Sequence, residues 1–600
     1  MEPRTDGIEP LTDPTLTANS PFIVGVSGHR DLDPAAFPAL RSAVENFIHA
    51  LQRQLPDTEI CFIVGMAEGA DLLVAETASA LGVRIEAILP MPLARYAADF
   101  EADNLSTLRR LLNRPDVSCI EIASTDAVED PVRSPPSADR DASYGHLMRA
   151  LIRRSSLLLV LWDGRSSPLP GGTADTLLRY LDVRSNDQLT DAALEFAAAD
   201  GAHDMASRLA YWIPSPRRNA SQANDLPSPC YLSGSGDHTL QCHPQLPEYF
   251  RTRMAELNAY NLEYDQLREK GQIGDADSLL AALPPDVALR GRSRLEDIDL
   301  QYGKADSLAV HFQRRSDRLF VLFGVMTFAM GLSYLIYEKL TESRLMLLTY
   351  MIVLIGSLGV YYLLEGRRWF AKHLAYRALA ETMRTKFYLR LAGADHRVDA
   401  REILSLSGTD RFHGFGWLGF VISAVERVGL RARPSYDPDS PQSRCVEDAW
   451  IESQHAYFTH KVTQLERATT GTGRLRSALF VIIIAAILTL FLFGDALHEI
   501  DAGNGVPMKN VVTFLMGFFA VLLGAWELHQ NKMATRELLW QYRNQLGHFT
   551  RARTHLARIT SAKRRSEVLA ELGKDSMMES FLWTIHRYHR EHEPPSSGGG

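Results

Sequence analysis

Cysteine is scarce in this sequence, and the few cysteines show no regular spacing. Five cysteines occur among 600 residues and none belongs to a C-x-x-C pair, which excludes a disulfide scaffold. Cys230, Cys242 and His243 offer zinc-binding atoms, but two cysteines twelve residues apart match no common zinc-site spacing. The pattern therefore predicts no metal site.

Lysine is absent from residues 21–220, which contain nineteen arginines and twenty-seven acidic residues. The whole chain carries a formal net charge of −8. A region with this balance lacks the positive surface that general binding of a nucleic-acid backbone requires. We therefore expect no nucleic-acid partner for this part of the chain.

Charged residues are missing from four apolar stretches in the second half of the chain. These contain 19, 20, 18 and 17 residues, close to the ~20 that cross a bilayer as a helix. The lengths predict four transmembrane helices in a lipid bilayer and argue against a purely soluble enzyme. Four buried core helices are the alternative interpretation. The stretches are Leu319–Tyr337, Leu345–Leu364, Ser477–Gly494 and Asn510–Trp526.

Basic residues flank these stretches unequally. The turns 338–344 and 495–509 carry three lysines and arginines, whereas ten lie at the other four ends. The positive-inside rule then predicts a multi-pass protein of the inner (cytoplasmic) membrane, with both termini and the segment 365–476 in the cytoplasm. The ten are Arg314, Arg315, Arg318, Arg367, Arg368, Lys372, Arg474, Arg476, Lys532 and Arg536.

Short β-rich runs alternate with helical patterns from residue 22 to residue 218. Such alternation predicts an α/β domain with a doubly wound, mostly parallel, Rossmann-like sheet that is covered by helices on both faces. An all-α membrane region with four transmembrane helices and long cytoplasmic helices is expected to follow. The predicted strands are Phe22–Ser27, Ile60–Val64, Val83–Leu89, Val117–Ile122, Leu157–Trp162 and Arg208–Ile213.

Composition divides the chain into seven segments. Proline, serine, glycine and asparagine dominate residues 219–245, which predicts a surface insertion or linker. A Tyr-Arg pair follows the second span of each two-span unit, at Tyr376-Arg377 and Tyr542-Arg543, which suggests an internal duplication. The segments are a disordered lead (1–20), the α/β domain (21–218), a linker with a helical insertion (219–294), a first two-span unit (295–392), a connector (393–445), a second two-span unit with a C-terminal helix (446–590) and a disordered tail (591–600).

Three loops at the carboxyl ends of predicted strands are rich in glycine. Ligands of parallel α/β sheets bind at this edge, where glycine lets a phosphate approach closely and the next helix attracts an anion. Arg30 is suited to pair with phosphate, and Asp71 or Asp163 to accept hydrogen bonds from a ribose. Structural turns are the alternative. The predicted nucleotide-binding residues are Ser27, Gly28, His29, Arg30, Gly65, Met66, Glu68, Gly69, Asp71, Trp162, Asp163, Gly164, Gly171, Gly172 and Thr173.

These three loops resemble loops of known families. The run from Gly65 to Asp71 (GMAEGAD), after VGVSGHR at residues 24–30, resembles the G-x-A-x-G-x-D loop of DNA-processing protein A. Pro170-Gly171-Gly172 resembles the start of the P-G-G-x-G-T-x-x-E motif of the lysine-decarboxylase-like (LOG) phosphoribohydrolases. Both families belong to the SLOG superfamily. The resemblance covers about residues 21–218 and implies a nucleotide-derived ligand, ADP-ribose-like or a cyclic nucleotide, and no cofactor.

The chain departs from the phosphoribohydrolase motif at the positions that carry catalysis. Ala174 stands for the second glycine, Asp175 for threonine and Leu178 for the catalytic glutamate of that family. The resemblance therefore implies binding without turnover and no catalytic residue.

The remaining chain resembles SLATT modules, which are two-span membrane domains with flanking cytoplasmic helices. The resemblance rests on Arg377–Gly393 and on Trp450–Phe458 (WIESQHAYF). It implies a homo-oligomeric membrane effector or pore in bacterial stress or antiviral signalling, gated by the SLOG-like domain. Small polar residues that could line such a pore, or pack between helices, are Thr327, Ser333, Thr349, Ser357, Thr489 and Thr513.

Two other functions stay open at this point. A membrane-anchored enzyme that hydrolyses an N-glycosidic or phosphate-ester bond of a nucleotide would need Glu68, Asp71 or Asp163 as its acid or base. Capture of single-stranded DNA, as in DNA-processing protein A, would need aromatic platforms and a basic groove. The acidic balance of residues 21–220 disfavours that reading.

Overall fold

The structure is a computed structural model. It describes residues 19–122, 138–165, 171–183, 195–198, 207–218, 227–235, 239–274, 277–341, 343–365, 367–427, 440–503, 505–533 and 535–591. Most of the predicted lead and tail, residues 1–18 and 592–600, lie outside the described residues.

Within the described residues, a nine-stranded sheet forms the first part of the chain, in the order β4-β3-β2-β1-β5-β7-β8-β9-β6. The first six strands in this order are mutually parallel, and β8 runs antiparallel to both of its neighbours. The predicted mostly parallel α/β sheet is thus confirmed. The strands are β1 (Phe22–Gly28), β2 (Ile60–Val64), β3 (Arg84–Leu89), β4 (Val117–Glu121), β5 (Leu157–Trp162), β6 (Glu195–Ala198), β7 (Ala210–Pro214), β8 (Cys230–Ser235) and β9 (Thr239–His243).

Helices cover the sheet and bury their apolar faces against it. In the first helix, Leu40, Val44 and Phe47 recur at helical spacing and all three are buried. All residues of β2 and β5 are buried, as expected for central strands of a parallel sheet. These helices are α1 (Phe37–Gln54), α2 (Ala70–Ala80), α3 (Leu93–Tyr96), α4 (Ala102–Leu112), α5 (Ala138–Arg154) and α6 (Thr173–Tyr180).

The segment 219–245 is not a linker throughout, because it contains β8 and β9. The α/β domain therefore extends to His243, beyond the predicted boundary at residue 218. Leu232 and Leu240 are fully buried, and β8 pairs with β7. Two short strands with few apolar residues gain their stability from pairing with a sheet edge, a contact that the local sequence pattern does not show.

Helices make up the rest of the described chain. They are α7 (Glu248–Glu269), α8 (Pro285–Ile336), α9 (Arg344–Glu365), α10 (Trp369–Leu391), α11 (Ala400–Leu406), α12 (Leu418–Ala424), α13 (Pro441–Val446), α14 (Ser453–Glu499), α15 (Met508–Met533), α16 (Thr535–Leu556) and α17 (Ala562–Glu591). The 52-residue α8 runs without interruption from a polar half into the first apolar stretch.

Four of these helices are long and apolar enough to cross a membrane, and they contain the four predicted stretches. Their most apolar windows are 6%, 0%, 0% and 0% buried within the chain. The alternative of four buried core helices is therefore wrong for a single chain, because protein does not cover these apolar faces.

The two predicted two-span units have matching layouts. In each unit a long helix enters the first span, a second helix returns, and a polar helix follows: α8–α9–α10 and α14–α15–α16. Arg377 contacts Asp306 across α10 and α8 at 3.1 Å, and Arg543 contacts Glu466 across α16 and α14 at 2.7 Å. The equivalent placement of these ion pairs supports the suggested duplication.

The segment between the two units packs against the amino edge of the sheet. The rings of Phe420 in α12 and Phe22 in β1 lie 5.2 Å apart in an edge-to-face arrangement. Arg401 in α11 donates a hydrogen bond to the main-chain oxygen of Ser155, just before β5. The sheet is therefore joined directly to the segment that links the two-span units.

Candidate functional site

The strand order reverses between β1 and β5. The chain builds β1, β2, β3 and β4 outward on one side and then crosses to place β5 on the other side of β1. In open α/β sheets, a crevice forms at the carboxyl ends of the strands where the order reverses, and ligands bind there. Two of the three predicted loops follow β1 and β5, so they meet at this point.

His29 and Asp163 form the contact between these two loops. His29 Nε2 lies 3.0 Å from Asp163 Oδ1 and 3.2 Å from the main-chain nitrogen of Asp163. Burial raises the pKa of the Asp163 carboxyl, but hydrogen bonds from His29 and the Arg165 amide outweigh burial and lower that pKa overall. Asp163 is therefore an ionised acceptor at neutral pH, held in place by His29.

Arg30 stands at the opening of the crevice. Its guanidinium donates a 2.7 Å hydrogen bond to the Tyr144 hydroxyl, which in turn donates to Asp99 at 3.1 Å. The guanidinium also lies 5.2 Å from the centre of the Tyr144 ring. Arg30 remains exposed, so this support orients its positive charge and leaves it accessible to an anion.

Gly28 and Gly69 allow the loop after β1 to pack against the start of α2. A Cβ atom on Gly28 would lie 2.3 Å from the Ala70 Cβ, and one on Gly69 would lie 2.3 Å from the Arg30 main-chain oxygen. Gly69 also has a φ of 78°, a backbone angle that residues with a side chain rarely adopt. Protein atoms fill the space beside both glycines. These surroundings do not support the predicted close approach of a phosphate.

Asp71 is turned inward and is not available to a ribose as predicted. It is 7% exposed, and its Oδ2 accepts a 3.1 Å hydrogen bond from the amide of Ala67. Burial raises the pKa of Asp71 to about 7. Asp71 therefore holds its own loop together.

The other predicted residues of the second loop also make contacts that hold the loop in place. Glu68 Oε1 accepts hydrogen bonds from the Glu101 amide at 2.6 Å and from the Asn104 side chain at 3.0 Å. The Tyr96 hydroxyl donates to the Gly65 main-chain oxygen, and Met66 is fully buried with a φ of 58°. These hydrogen bonds fasten the loop to α3 and to the start of α4.

The loop after β5 is held in place by two tryptophans. Trp162 is fully buried, and its indole donates to the Arg165 main-chain oxygen at 2.9 Å. Gly164 has a φ of 83° and lies against the Trp212 ring. Residues 166–170, including Pro170 of the motif, lie outside the described part of the chain.

Gly171, Gly172 and Thr173 lead into α6 and are partly exposed. The Gly171 amide donates to Asp175 Oδ2 at 2.9 Å, and Arg179 donates to Asp175 Oδ1 at 2.8 Å. Asp175 thus folds back on its own loop, as Asp71 does on the second loop. Among the predicted residues, His29 and Asp163 meet directly, and Arg30 and Gly171 both lie beside Tyr144.

Sequence reasoning missed the residues that hold the crevice in shape. Tyr144 and Asp99 support Arg30, and Arg217 pairs with Asp31 through two 3.0 Å hydrogen bonds from its Nε. Asp99, Tyr144 and Arg217 are far from the first glycine loop in sequence, and no local motif marks them. Only the fold brings them together.

Within the described residues, the crevice offers an arginine, Arg30, and a carboxylate, Asp163. Leu178, at the position of the glutamate in the phosphoribohydrolase motif, is 3% exposed and belongs to a core cluster with Trp162. Within the described residues, no group of three or more His, Cys, Asp or Glu side chains could hold a metal ion.

Five of the hydroxyl side chains in the apolar helices donate hydrogen bonds within their own helix. Ser333, Thr349 and Thr489 each donate to the main-chain oxygen four residues earlier. Thr513 does the same, and Ser357 donates to the oxygen three residues earlier. Such bonds let a hydroxyl sit in an apolar environment without a partner on another helix.

Comparison with protein-family models, with curated proteins and with solved structures found no match to this chain. The geometry of the site is therefore the basis for its interpretation.

Proposed function

We propose that the chain is a membrane effector whose sheet domain binds a nucleotide-derived ligand in the crevice between β1 and β5. One observation carries this proposal: exposed Arg30 and the His29–Asp163 pair lie where the strand order reverses. Crevices at this position are the usual ligand sites of open α/β sheets.

The chemistry of the crevice favours a ligand with both a phosphate and a ribose. Arg30 supplies a charge-assisted hydrogen bond to a phosphate oxygen, and ionised Asp163 accepts a hydrogen bond from a ribose hydroxyl. The start of α6 adds main-chain amides and the positive end of a helix. An ADP-ribose-like molecule or a cyclic nucleotide carries the required groups.

Signal transfer to the membrane region is the second part of the proposal. The sheet contacts the segment between the two-span units through Phe22–Phe420 and Ser155–Arg401. α8 then continues as one helix from its packed polar half into the first apolar stretch. A ligand shifts the membrane helices only if it binds two arrangements of this contact with different affinity.

The SLOG and SLATT resemblances agree with a ligand-binding sheet domain joined to membrane helices, and they extend the proposal. They favour a homo-oligomeric pore in the inner membrane, with both termini in the cytoplasm, that serves bacterial stress or antiviral signalling. The matched layouts of α8–α9–α10 and α14–α15–α16 are what two SLATT-like units would look like.

The test is a dye-release assay on the full chain in liposomes, with ADP-ribose and a panel of cyclic nucleotides added outside. We expect one ligand to trigger release, and Arg30→Gln to weaken its effect about tenfold, the loss of one charge-assisted bond. Arg41→Gln is the matched control, because Arg41 lies on α1 and pairs with Glu76 away from the crevice.

Two results would contradict the proposal. Release that no nucleotide changes, although binding is measured independently, would remove the gating role. An equal response of Arg30→Gln and Arg41→Gln would move the ligand away from the crevice.

A further inference from the structure

Four arginines lie at one end of the first pair of apolar helices. Arg314, Arg315 and Arg318 belong to the turns of α8 that precede its apolar stretch. Arg367 lies between the end of α9 and Trp369, the first residue of α10. Because α8 and α9 form a hairpin, the four arginines lie at the same end of it, where the headgroups of a surrounding bilayer would be.

The Trp369 ring lies beside two of these arginines. The Arg315 guanidinium is 5.4 Å from the centre of this ring, and the Arg367 guanidinium is 5.8 Å from it. The rings of Phe320 in α8 and Phe370 in α10 pack edge to face at 5.5 Å, so the two helices are in contact at this level. Tryptophan favours the boundary between acyl chains and headgroups, and its ring holds both guanidinium groups there.

The positive charge of the four arginines is not compensated by nearby acidic side chains. Arg315 donates a 3.0 Å hydrogen bond to the uncharged Gln272 side chain, and the other three arginines are exposed. Within the described residues, no carboxylate lies within ion-pair distance of any of the four guanidinium groups. Asp317 precedes Arg318 in sequence, but adjacent residues of a helix do not face each other. The arginines are therefore available to an anion.

Comparable basic residues at the ends of the apolar helices pair with carboxylates of the protein. Lys372, in the first turn of α10, contacts Glu263 of α7. Arg476 precedes the apolar stretch of α14 as Arg318 precedes that of α8, and it lies 3.4 Å from Glu527 of α15. Among the described residues, the second unit thus pairs an arginine at a position where the first unit leaves one for another anion.

We propose that these four arginines and Trp369 bind the headgroup of an anionic phospholipid. The lipid phosphate accepts hydrogen bonds from Arg315 and Arg367, which the tryptophan ring holds near each other. Arg314 and Arg318 add the positive charge that favours an anionic headgroup over a zwitterionic one. The acyl chains cover the apolar faces of α8 and α9, whose most apolar windows are 6% and 0% buried. This inference rests on the membrane placement in the proposed function and not on the nucleotide crevice.

The test is a binding titration of the full chain in an uncharged detergent with short-chain phosphatidylglycerol, short-chain phosphatidylcholine and glycerol 3-phosphate. We expect phosphatidylglycerol to bind most tightly, because it combines a net negative headgroup with acyl chains. Phosphatidylcholine carries the phosphate without the net charge, and glycerol 3-phosphate carries the charge without acyl chains. Added salt should weaken the binding of phosphatidylglycerol, since it screens exposed charges.

Three variants locate the headgroup. Arg315→Gln, Arg318→Gln and Arg367→Gln should each weaken phosphatidylglycerol about fivefold, the share of one arginine at an anionic membrane surface. Arg318 and Arg367 are exposed, so their variants serve as the test even if Arg315→Gln disturbs the fold. Arg476→Gln is the matched control and should leave binding unchanged, because Arg476 already pairs with Glu527.

Equal binding of phosphatidylglycerol and phosphatidylcholine would overturn the inference. So would unchanged binding of phosphatidylglycerol in both Arg318→Gln and Arg367→Gln. Binding of glycerol 3-phosphate as tight as that of phosphatidylglycerol would assign the arginines to a soluble anion instead of a lipid. A nucleotide response in the dye-release assay would leave the proposed function intact in each of these cases. Failure of the chain to float with phosphatidylcholine liposomes would contradict the membrane placement and this inference together.

Discussion

The sheet domain and the four apolar helices use their hydrophobic residues in opposite ways. All residues of β2 and β5 are buried, whereas the apolar windows of the four helices are almost bare within one chain. The sheet domain is therefore stabilised by burying its own apolar surface away from water. The four helices need a bilayer or other copies of the chain to cover their apolar surface.

The two regions also differ in how their polar side chains form hydrogen bonds. In the sheet domain, Arg154 donates to Glu86 at 2.9 Å across 68 residues of sequence, and both side chains are buried. In the apolar helices, hydroxyls such as Thr349 and Thr489 bond within their own turn. Pairing between residues that are distant in sequence suits a domain that folds around a core. Hydrogen bonding within one turn suits a membrane helix, whose polar groups need partners inside the helix before it packs against others.

The largest expected effect comes from removing a phenylalanine in the sheet. Phe62→Ala in β2 removes a fully buried ring and should lower the free energy of unfolding by about 3–5 kcal/mol. Phe491→Ala in α14 removes a ring that is 84% exposed and should change it by no more than about 0.5 kcal/mol. Urea unfolding of the detergent-solubilised chain, followed by tryptophan fluorescence, compares the two. Equal effects would mean that the apolar helices share a core with the sheet.

A smaller effect is expected where two apolar helices do touch. A Cβ atom on Gly331 of α8 would lie 2.5 Å from Val521 of α15, so Gly331→Leu should destabilise this contact by about 1–3 kcal/mol. Gly324→Leu is the control on the same helix, because no atom lies within 4 Å of a Cβ at Gly324. Resistance to unfolding by SDS measures both. A larger loss for Gly324→Leu would show that the helices pack differently in lipid.

Per pH unit, the smallest expected effect is the pH dependence of stability that the buried Asp71 carboxyl gives the sheet domain. Because the pKa of Asp71 is about 7, the folded state keeps a proton that the unfolded state releases above about pH 4. Stability should therefore fall as pH rises towards about 7, by at most about 1.4 kcal/mol per pH unit.

Asp71→Asn should remove this slope and be the more stable form above about pH 7. Urea unfolding between about pH 5 and about pH 7.5 measures it, with the exposed Asp103→Asn as the control. A slope that persists in Asp71→Asn would assign the proton to another group.

Several elements follow from local pattern alone. The strands Ile60–Val64 and Leu157–Trp162 begin and end at the predicted residues. In both, the apolar run is strong within a few residues, and glycine follows the end of the strand closely. β8 and β9 carry no such signal, and pairing with β7 decides their conformation.

In the candidate site, too, the sequence predicts some features and only the tertiary structure shows the others. The sequence places glycines, His29, Arg30 and Asp163 at strand ends, and it therefore predicts which edge of the sheet to inspect. It does not show that Ala70 and the Arg30 main chain fill the space beside Gly28 and Gly69. It also does not show that Tyr144 holds Arg30.

By itself, the amino-acid order determined the α/β class, the four membrane-length helices and the candidate edge, because hydrophobic periodicity and run length act over neighbouring residues. Tertiary structure alone decided which groups each buried charge meets. Arg154 meets Glu86, whereas Arg401 meets the main-chain oxygen of Ser155. The physical reason is that desolvation and charge pairing depend on what chain packing brings within a few ångströms, which sequence distance does not encode.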